Sequence, residues 1–279
     1  MSYATIMVIL DPSRRSYHRI EIAAQLAVRH KATLVGMFAC HRPEPAWVYR
    51  LPDGAGYLDA LQARYEEDVE VMRRSFEGAT EALPITAQWR AFDGLPLAIG
   101  QREARLADLL VVGQADPADP MAFVAEGFVE SIVLASGRPV LAIPRVGRFK
   151  TVGGRVLIAW DGGREAARAI HDALPFLRQA EAVTIATCTV AGKAGDPWNT
   201  PAQYAATWLA AHGVTAAVCN LPVTDLADAG ERLLSEAADL EADLIVAGAY
   251  GHNRFREVML GGVTRTLLET MTIPVLFSH

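Results

Sequence analysis

The stretch Leu244-Ile245-Val246-Ala247-Gly248-Ala249-Tyr250-Gly251-His252-Asn253-Arg254-Phe255-Arg256-Glu257-Val258-Met259-Leu260-Gly261-Gly262-Val263-Thr264 decides how the chain is read. Its apolar start, Leu244 to Ala247, has the length and composition of a short buried parallel strand, and Val263 to Met271 carries apolar residues at helical spacing. Between them lies a loop punctuated by glycine. Backbone N–H groups at a helix N-terminus are unpaired and stand at the positive end of the helix dipole, so a strand, a glycine loop and a helix together suit an anion. Glycine adds positive φ and lets a ligand approach the main chain. Phosphate is the obvious anion. No Gly-Lys-Ser/Thr follows, and the tight Gly-x-Gly-x-x-Gly of a dinucleotide fold is absent.

Working outward, the same order of elements occurs twice. Ala4 to Leu10 reads as a buried strand, Ser16 to His30 as a helix with an apolar stripe, and Ala32 to Cys40 as the next strand. The segment 41–57 holds prolines, glycines and aromatics and reads as a long loop of the kind that forms lids or contact surfaces. A charged helix from Leu58 to about Ala82 follows, then strands at 85–92, 109–112 and 140–143 separated by helices. After a linker, Val156 to Asp161 answers Met7 to Asp11, at an offset of 150 residues, and Pro274 answers Pro139 at an offset of 135. The expected organisation is a first domain at 1–146, a linker at 147–154 and a second domain at 155–279. Alternating strands and helices with near-continuous apolar strands make the fold class α/β, as two tandem open parallel five-stranded sheets flanked by helices.

Composition narrows the function. The chain has 279 residues, 51% of them hydrophobic, and a net charge of −6, with no basic tract, which argues against a nucleic-acid partner. No apolar run approaches the ~20 residues of a membrane span. The N-terminal residues lack the cationic region of a secretory signal, so the expected location is the cytoplasm. Cys40, Cys188 and Cys219 are odd in number and widely spaced, which favours buried reduced thiols over disulfides or a metal site.

An open α/β sheet binds ligands beyond the carboxyl ends of its strands, at the topological switch point. In the second half these ends are Trp160-Asp161-Gly162-Gly163, Thr187-Cys188 and Gly248 to Gly251. Each has a structural alternative: Asp161 as a helix cap, Trp160 as core, Gly261-Gly262 as a plain helix start, and His252 and Arg254 as solvated loop residues. In the first half the 135 offset sets Gly113 against Gly248, but Asp116 against Gly251 and Glu126 against Gly261, with Gly127 against Gly262. Two carboxylates would repel a polyphosphate, and Pro117 and Pro120 stiffen the loop, so this half is expected to have lost nucleotide binding. It would then be a structural partner or the host of an uncharged ligand.

The Gly-x2-Gly-x9-Gly spacing from Gly248, the acid after the first strand of each half, the closing Pro-Val-Leu strands and the stretch Trp160-Asp161-Gly162-Gly163-Arg164-Glu165-Ala166-Ala167-Arg168 resemble the universal stress protein family, in its bacterial tandem branch. The resemblance departs at Gly262, where the family usually has Ser or Thr, while Thr264 matches a further hydroxyl position. It implies a Rossmann-like, adenine nucleotide alpha hydrolase-like fold and a cytoplasmic stress-response protein that binds ATP or another adenine nucleotide, with or without Mg. By position, Asp161 would meet the adenosine part, Ala159 and Trp160 would wall the adenine, and Thr187 or Cys188 would contact base or ribose. Gly248, Gly251, Gly261, Gly262, Val263 and Thr264 would line the phosphates, with His252 and Arg254 adding positive charge. The resemblance also implies that the halves form an intramolecular pseudo-dimer, and it leaves a homodimer open.

The expected role is regulatory or protective, with weak ATP hydrolysis at most. One alternative is a ligand-free scaffold using the 41–57 loop. Another is a phosphoryl- or nucleotide-transferring enzyme, for which Arg254 and Asp161 are the candidate groups.

Overall fold

The computed structural model describes residues 2–40, 54–119, 127–190, 200–251 and 262–279. Its contacts divide the chain into two compact units, one of Ala4–Ile132 and one of Val133–His279 joined by the N-terminal residues to Tyr3.

The first unit runs β1 (Thr5–Leu10), α1 (Ser16–His30), β2 (Thr33–Cys40), α2 (Gly54–Thr80), β3 (Ala87–Asp93), α3 (Pro96–Ala104), β4 (Leu109–Gly113) and the start of α4 (Phe128–Ser136). The strands lie in the order β3-β2-β1-β4, and every pair is parallel. Central β1 is buried from Ile6 to Leu10, as expected for a strand covered on both faces. Helix α2 seats Phe76 so close to β2 that a Cβ on Gly36 would fall 2.7 Å from its ring. Helix α2 begins four residues before the Leu58 expected from sequence. Its opening Gly54-Ala55-Gly56 reads as loop because glycine is a poor helix former, a preference that tertiary context overrides.

The second unit runs β5 (Val140–Ile143), β6 (Arg155–Ala159), α5 (Arg164–Asp172), α6 (Leu174–Leu177), β7 (Ala182–Val190), α7 (Ala202–Ala211), β8 (Ala217–Val223), a 3-10 turn at Leu226–Asp228, α8 (Ala229–Asp239), β9 (Leu244–Gly248), α9 (Gly262–Thr270) and β10 (Val275–Ser278). Its strands lie in the order β5-β10-β9-β6-β7-β8. All pairs are parallel except β5 with β10, which is antiparallel with Leu141 opposite Leu276. The closing strand of the first repeat thus belongs to the second unit. The sequence reads Ala166 to Leu177 as one helix, but it breaks at Ala173 because Pro175 has no N–H to continue the ladder. Pro222 is tolerated in β8 because that strand is an edge.

The repeat extends to side-chain chemistry. The Asp243 carboxylate accepts the N–H groups of Gly153, Gly154 and Arg155 at 3.0, 3.1 and 2.9 Å, fixing the entry to β6. Asp108, 135 residues earlier, accepts those of Ala4 and Thr5 at 2.8 and 3.0 Å at the entry to β1. None of the three cysteines is in a disulfide. Among the described residues no helix is long and apolar enough to cross a membrane.

Candidate functional site

In the second unit β6 lies between β7 and β9, so the chain reverses its direction of travel across the sheet at that point and leaves a crevice at the carboxyl ends of β6 and β9. Gly162 has φ +80°, which turns the chain sharply between β6 and α5. Exposed Asp161 holds that turn, its Oδ1 accepting the N–H of Gly163 at 2.8 Å. On the other side, a Cβ on Gly248 would fall 2.5 Å from both the N of Ala166 and the C of Glu165. The end of β9 therefore lies flush against the first turn of α5, a fit that only glycine allows. A Cβ on Gly251 would fall 2.8 Å from Glu165 Oε2 and 3.6 Å from Asp161 Oδ2. Asp161, Gly163, Glu165, Gly248 and Gly251 are thus brought together.

The sequence reading did not single out Glu165. It is 4% exposed and ion-paired through Oε1 with the exposed Arg164. The sequence shows only an acid in the first turn of the helix after Asp161, and its burial is a property of the packing.

The remaining predicted residues divide by position. Trp160 is 6% exposed, and its indole N–H donates to the Thr200 carbonyl at 2.8 Å, so the ring ties Thr200, just ahead of α7, to the end of β6. Ala159 ends β6, half-buried. Thr187 and Cys188 stand on β7, and the Thr187 hydroxyl lies 3.4 Å from the Cys219 carbonyl and from Asn220 Oδ1 on β8. Burial pushes the Cys188 thiol up, against the opposing charge of Arg232. Thr264 is buried and its Oγ1 accepts the Tyr250 N–H at 3.3 Å, locking the start of the glycine loop to α9. Tyr250 itself takes a left-handed φ of +61°. Gly262 opens α9 exposed, and among the described residues a Cβ there would meet nothing within 4 Å. Half-buried Val263 follows it. His252, Arg254 and Gly261 lie outside the described residues.

The equivalent crevice of the first unit lies between the ends of β1 and β4. Asp11, which corresponds to Asp161, is 3% exposed there. Its Oδ1 accepts from Arg19 Nη2, from the Ser13 hydroxyl, from Ser16 Oγ at 2.7 Å and from the Ser13 N–H at 3.2 Å. Burial alone would raise the Asp11 carboxyl, but the Arg19 charge and the bonds from Ser13 and Ser16 outweigh it and hold the group below the usual carboxylate range. The other guanidinium nitrogen of Arg19, Nη1, lies where a Gly113 side chain would begin.

A family model described as the universal stress protein family matches residues 154–279. Residues 154–279 are a universal stress protein domain. The match begins within the glycine-containing run before β6 and takes in Asp161, Glu165 and the whole glycine loop. Solved structures agree on the fold over the full chain. A universal stress protein from Archaeoglobus fulgidus DSM 4304 is similar with a TM-score of 0.70 and 17% identity, over 98% of this chain and 95% of that one. A putative universal stress protein from Pseudomonas aeruginosa UCBPP-PA14 is similar with a TM-score of 0.56 and 16% identity, over 99% and 93% of the two chains. At these identities the likeness shows the fold: a mixed α/β protein with mostly parallel strands flanked by helices. No curated protein gives a significant sequence match to the chain.

Proposed function

We propose that the universal stress protein domain binds an adenine nucleotide, ATP foremost, in the crevice between β6 and β9, and that the chain acts as a cytoplasmic regulatory or protective stress-response protein. The observation that carries this reading is the convergence at one switch point of Asp161, the close-set Gly248 and Gly251, and the first turn of α9, tied to the end of β9 through Thr264. Phosphate oxygens would take N–H groups at the start of α9, where a Cβ on Gly262 would meet nothing within 4 Å among the described residues. The adenosine part would lie toward Asp161 and the end of β7, with Thr187 and Cys188 along its side.

Glu165 adds a condition. Its carboxylate and that of Asp161 both lie within 4 Å of the Gly251 Cβ position, so a bare polyphosphate there would meet two negative charges. Mg accompanying the nucleotide would remove that repulsion, since this ion is commonly held by one or two carboxylates together with phosphate oxygens. The reading is therefore of a Mg-nucleotide, bound more than turned over.

Isothermal titration of the chain with ATP, in Mg and in EDTA, tests it. Binding that weakens at least tenfold in EDTA, and that weakens less in EDTA when Glu165 is replaced by Gln, is the expected result. A folded chain that takes up no nucleotide at millimolar ATP with Mg refutes it.

A further inference from the structure

The two switch-point crevices of this chain differ at the start of the helix that follows the first strand. At the 150 offset Ser13, Ser16 and Arg19 of the first repeat correspond to Gly163, Ala166 and Ala169 of the second. Where the second repeat has small side chains, the first has two hydroxyls and an arginine, and all are buried together with the acid that follows the first strand.

The arrangement has the features of a ligand in its site. Arg19 is 3% exposed, yet it grows from the outer end of an apolar helical stripe and brings a full charge under the end of the sheet. Nη2 donates to Asp11 Oδ1, to Ser16 Oγ and, at 3.3 Å, to Ser13 Oγ. Nη1 rests on Gly113, the counterpart of Gly248, in the space that any side chain would fill. Among the described residues Asp11 Oδ2 is buried with no hydrogen-bond partner, so the carboxylate retains capacity for a further donor. A cation paired to a buried carboxylate, with hydroxyls to either side and a glycine beneath, is how a pocket for a planar cation is made.

We infer that the first repeat holds a guanidinium-binding pocket already occupied by its own Arg19, and that Arg19 is the residue that closes this repeat to outside ligands. Among the described residues the crevice of the second repeat has no such side chain seated in it. The inference stands on the first unit alone and does not depend on what the second repeat binds.

The test replaces the tethered cation by a free one. Arg19→Ala leaves a cavity lined by Asp11, Ser13, Ser16 and Gly113. Titrated with methylguanidinium, folded Arg19→Ala should take up one equivalent per chain and regain part of its lost melting temperature. The wild type should take up none, and Arg19→Ala/Asp11→Asn should bind at least about tenfold more weakly, because the charged acceptor is gone. Tetramethylammonium, a cation without donors, should restore nothing. Methylguanidinium that fails to bind Arg19→Ala, or that binds both variants equally, overturns the inference.

Gly113→Ala in the otherwise wild-type chain gives an independent reading should Arg19→Ala not fold. The new methyl occupies the place of Nη1, so the melting midpoint should fall by about 2 °C or more. An unchanged midpoint means that the guanidinium is not seated there and overturns the inference equally.

Discussion

Gly248 and Gly262 bound the same loop, yet the structure predicts opposite responses when each gains a side chain. Gly248→Ala sets a methyl 2.5 Å from two backbone atoms of α5, which no rotamer change can relieve. The first turn of α5 must move, and overpacking of this kind costs about 1–3 kcal/mol. At about 2–4 °C per kcal/mol for a unit of this size, the second unit should melt at least a few degrees lower. Because α5 begins just after Asp161 and carries Glu165, the same movement should weaken ATP at least about tenfold. Gly262→Ser meets nothing within 4 Å among the described residues. It replaces a poor helix former by a better one, worth roughly 0.5 kcal/mol, and brings a hydroxyl to the helix N-terminus where a phosphate would sit. A neutral donor to a charged acceptor contributes about 1.5–3 kcal/mol, so affinity should rise by about tenfold or more. Differential scanning calorimetry and isothermal titration of the two variants read both effects. Gly248→Ala with wild-type melting would refute the close fit of β9 on α5. Gly262→Ser with weakened ATP binding would refute the placement of phosphate at α9.

Three further outcomes are expected. Asp243→Ala removes the acceptor of three N–H groups and Asp108→Ala that of two, so urea unfolding should show a loss of about 2–4 kcal/mol for the former and a smaller loss for the latter. Burial, with the Arg29 charge assisting, lowers His30 to about 4, so the folded chain keeps it neutral while the unfolded chain protonates it near 6.5. Its contribution is complete above pH 6.5 and is lost as pH falls toward 4, by about 3 kcal/mol in all; His30→Gln should flatten that part of the stability-against-pH curve, and an unchanged slope refutes the assignment. Thr264→Val removes the acceptor of the Tyr250 N–H at a cost of about 1 kcal/mol, and faster amide exchange at Tyr250 should report it.

How much of this was legible beforehand follows from the range of the interactions involved. The alternation of strands and helices is local: runs such as Leu109 to Val112 and Leu244 to Ala247 are apolar throughout because both sheet faces are covered. The repeat and the place of Asp161 and Gly248 at a switch point followed from the same pattern. Arg19 was passed over because a single arginine in a helical stripe reads as a solvated residue, and only its distance to Gly113, 94 positions away in the chain, shows otherwise. Glu165 was missed for a related reason, since its nearness to Gly251 depends on how tightly β9 meets α5. Trp160 had two readings from sequence, and the bond from its indole to Thr200 shows a structural tie that no spacing rule could reveal. The antiparallel meeting of β5 and β10 is likewise a pairing between distant segments, invisible to periodicity.

That last pairing sets where the chain can be divided. A fragment cut in the glycine-rich run after Ile143 would leave β10 with a bare row of peptide groups along Val275 to Phe277, flanked by apolar side chains. Such an edge invites a second copy or an aggregate. A fragment that begins before α4 carries its own cover strand. The second repeat's independence as a folding module therefore resides in four residues, Val140 to Ile143, that the repeat pattern assigns to the other half.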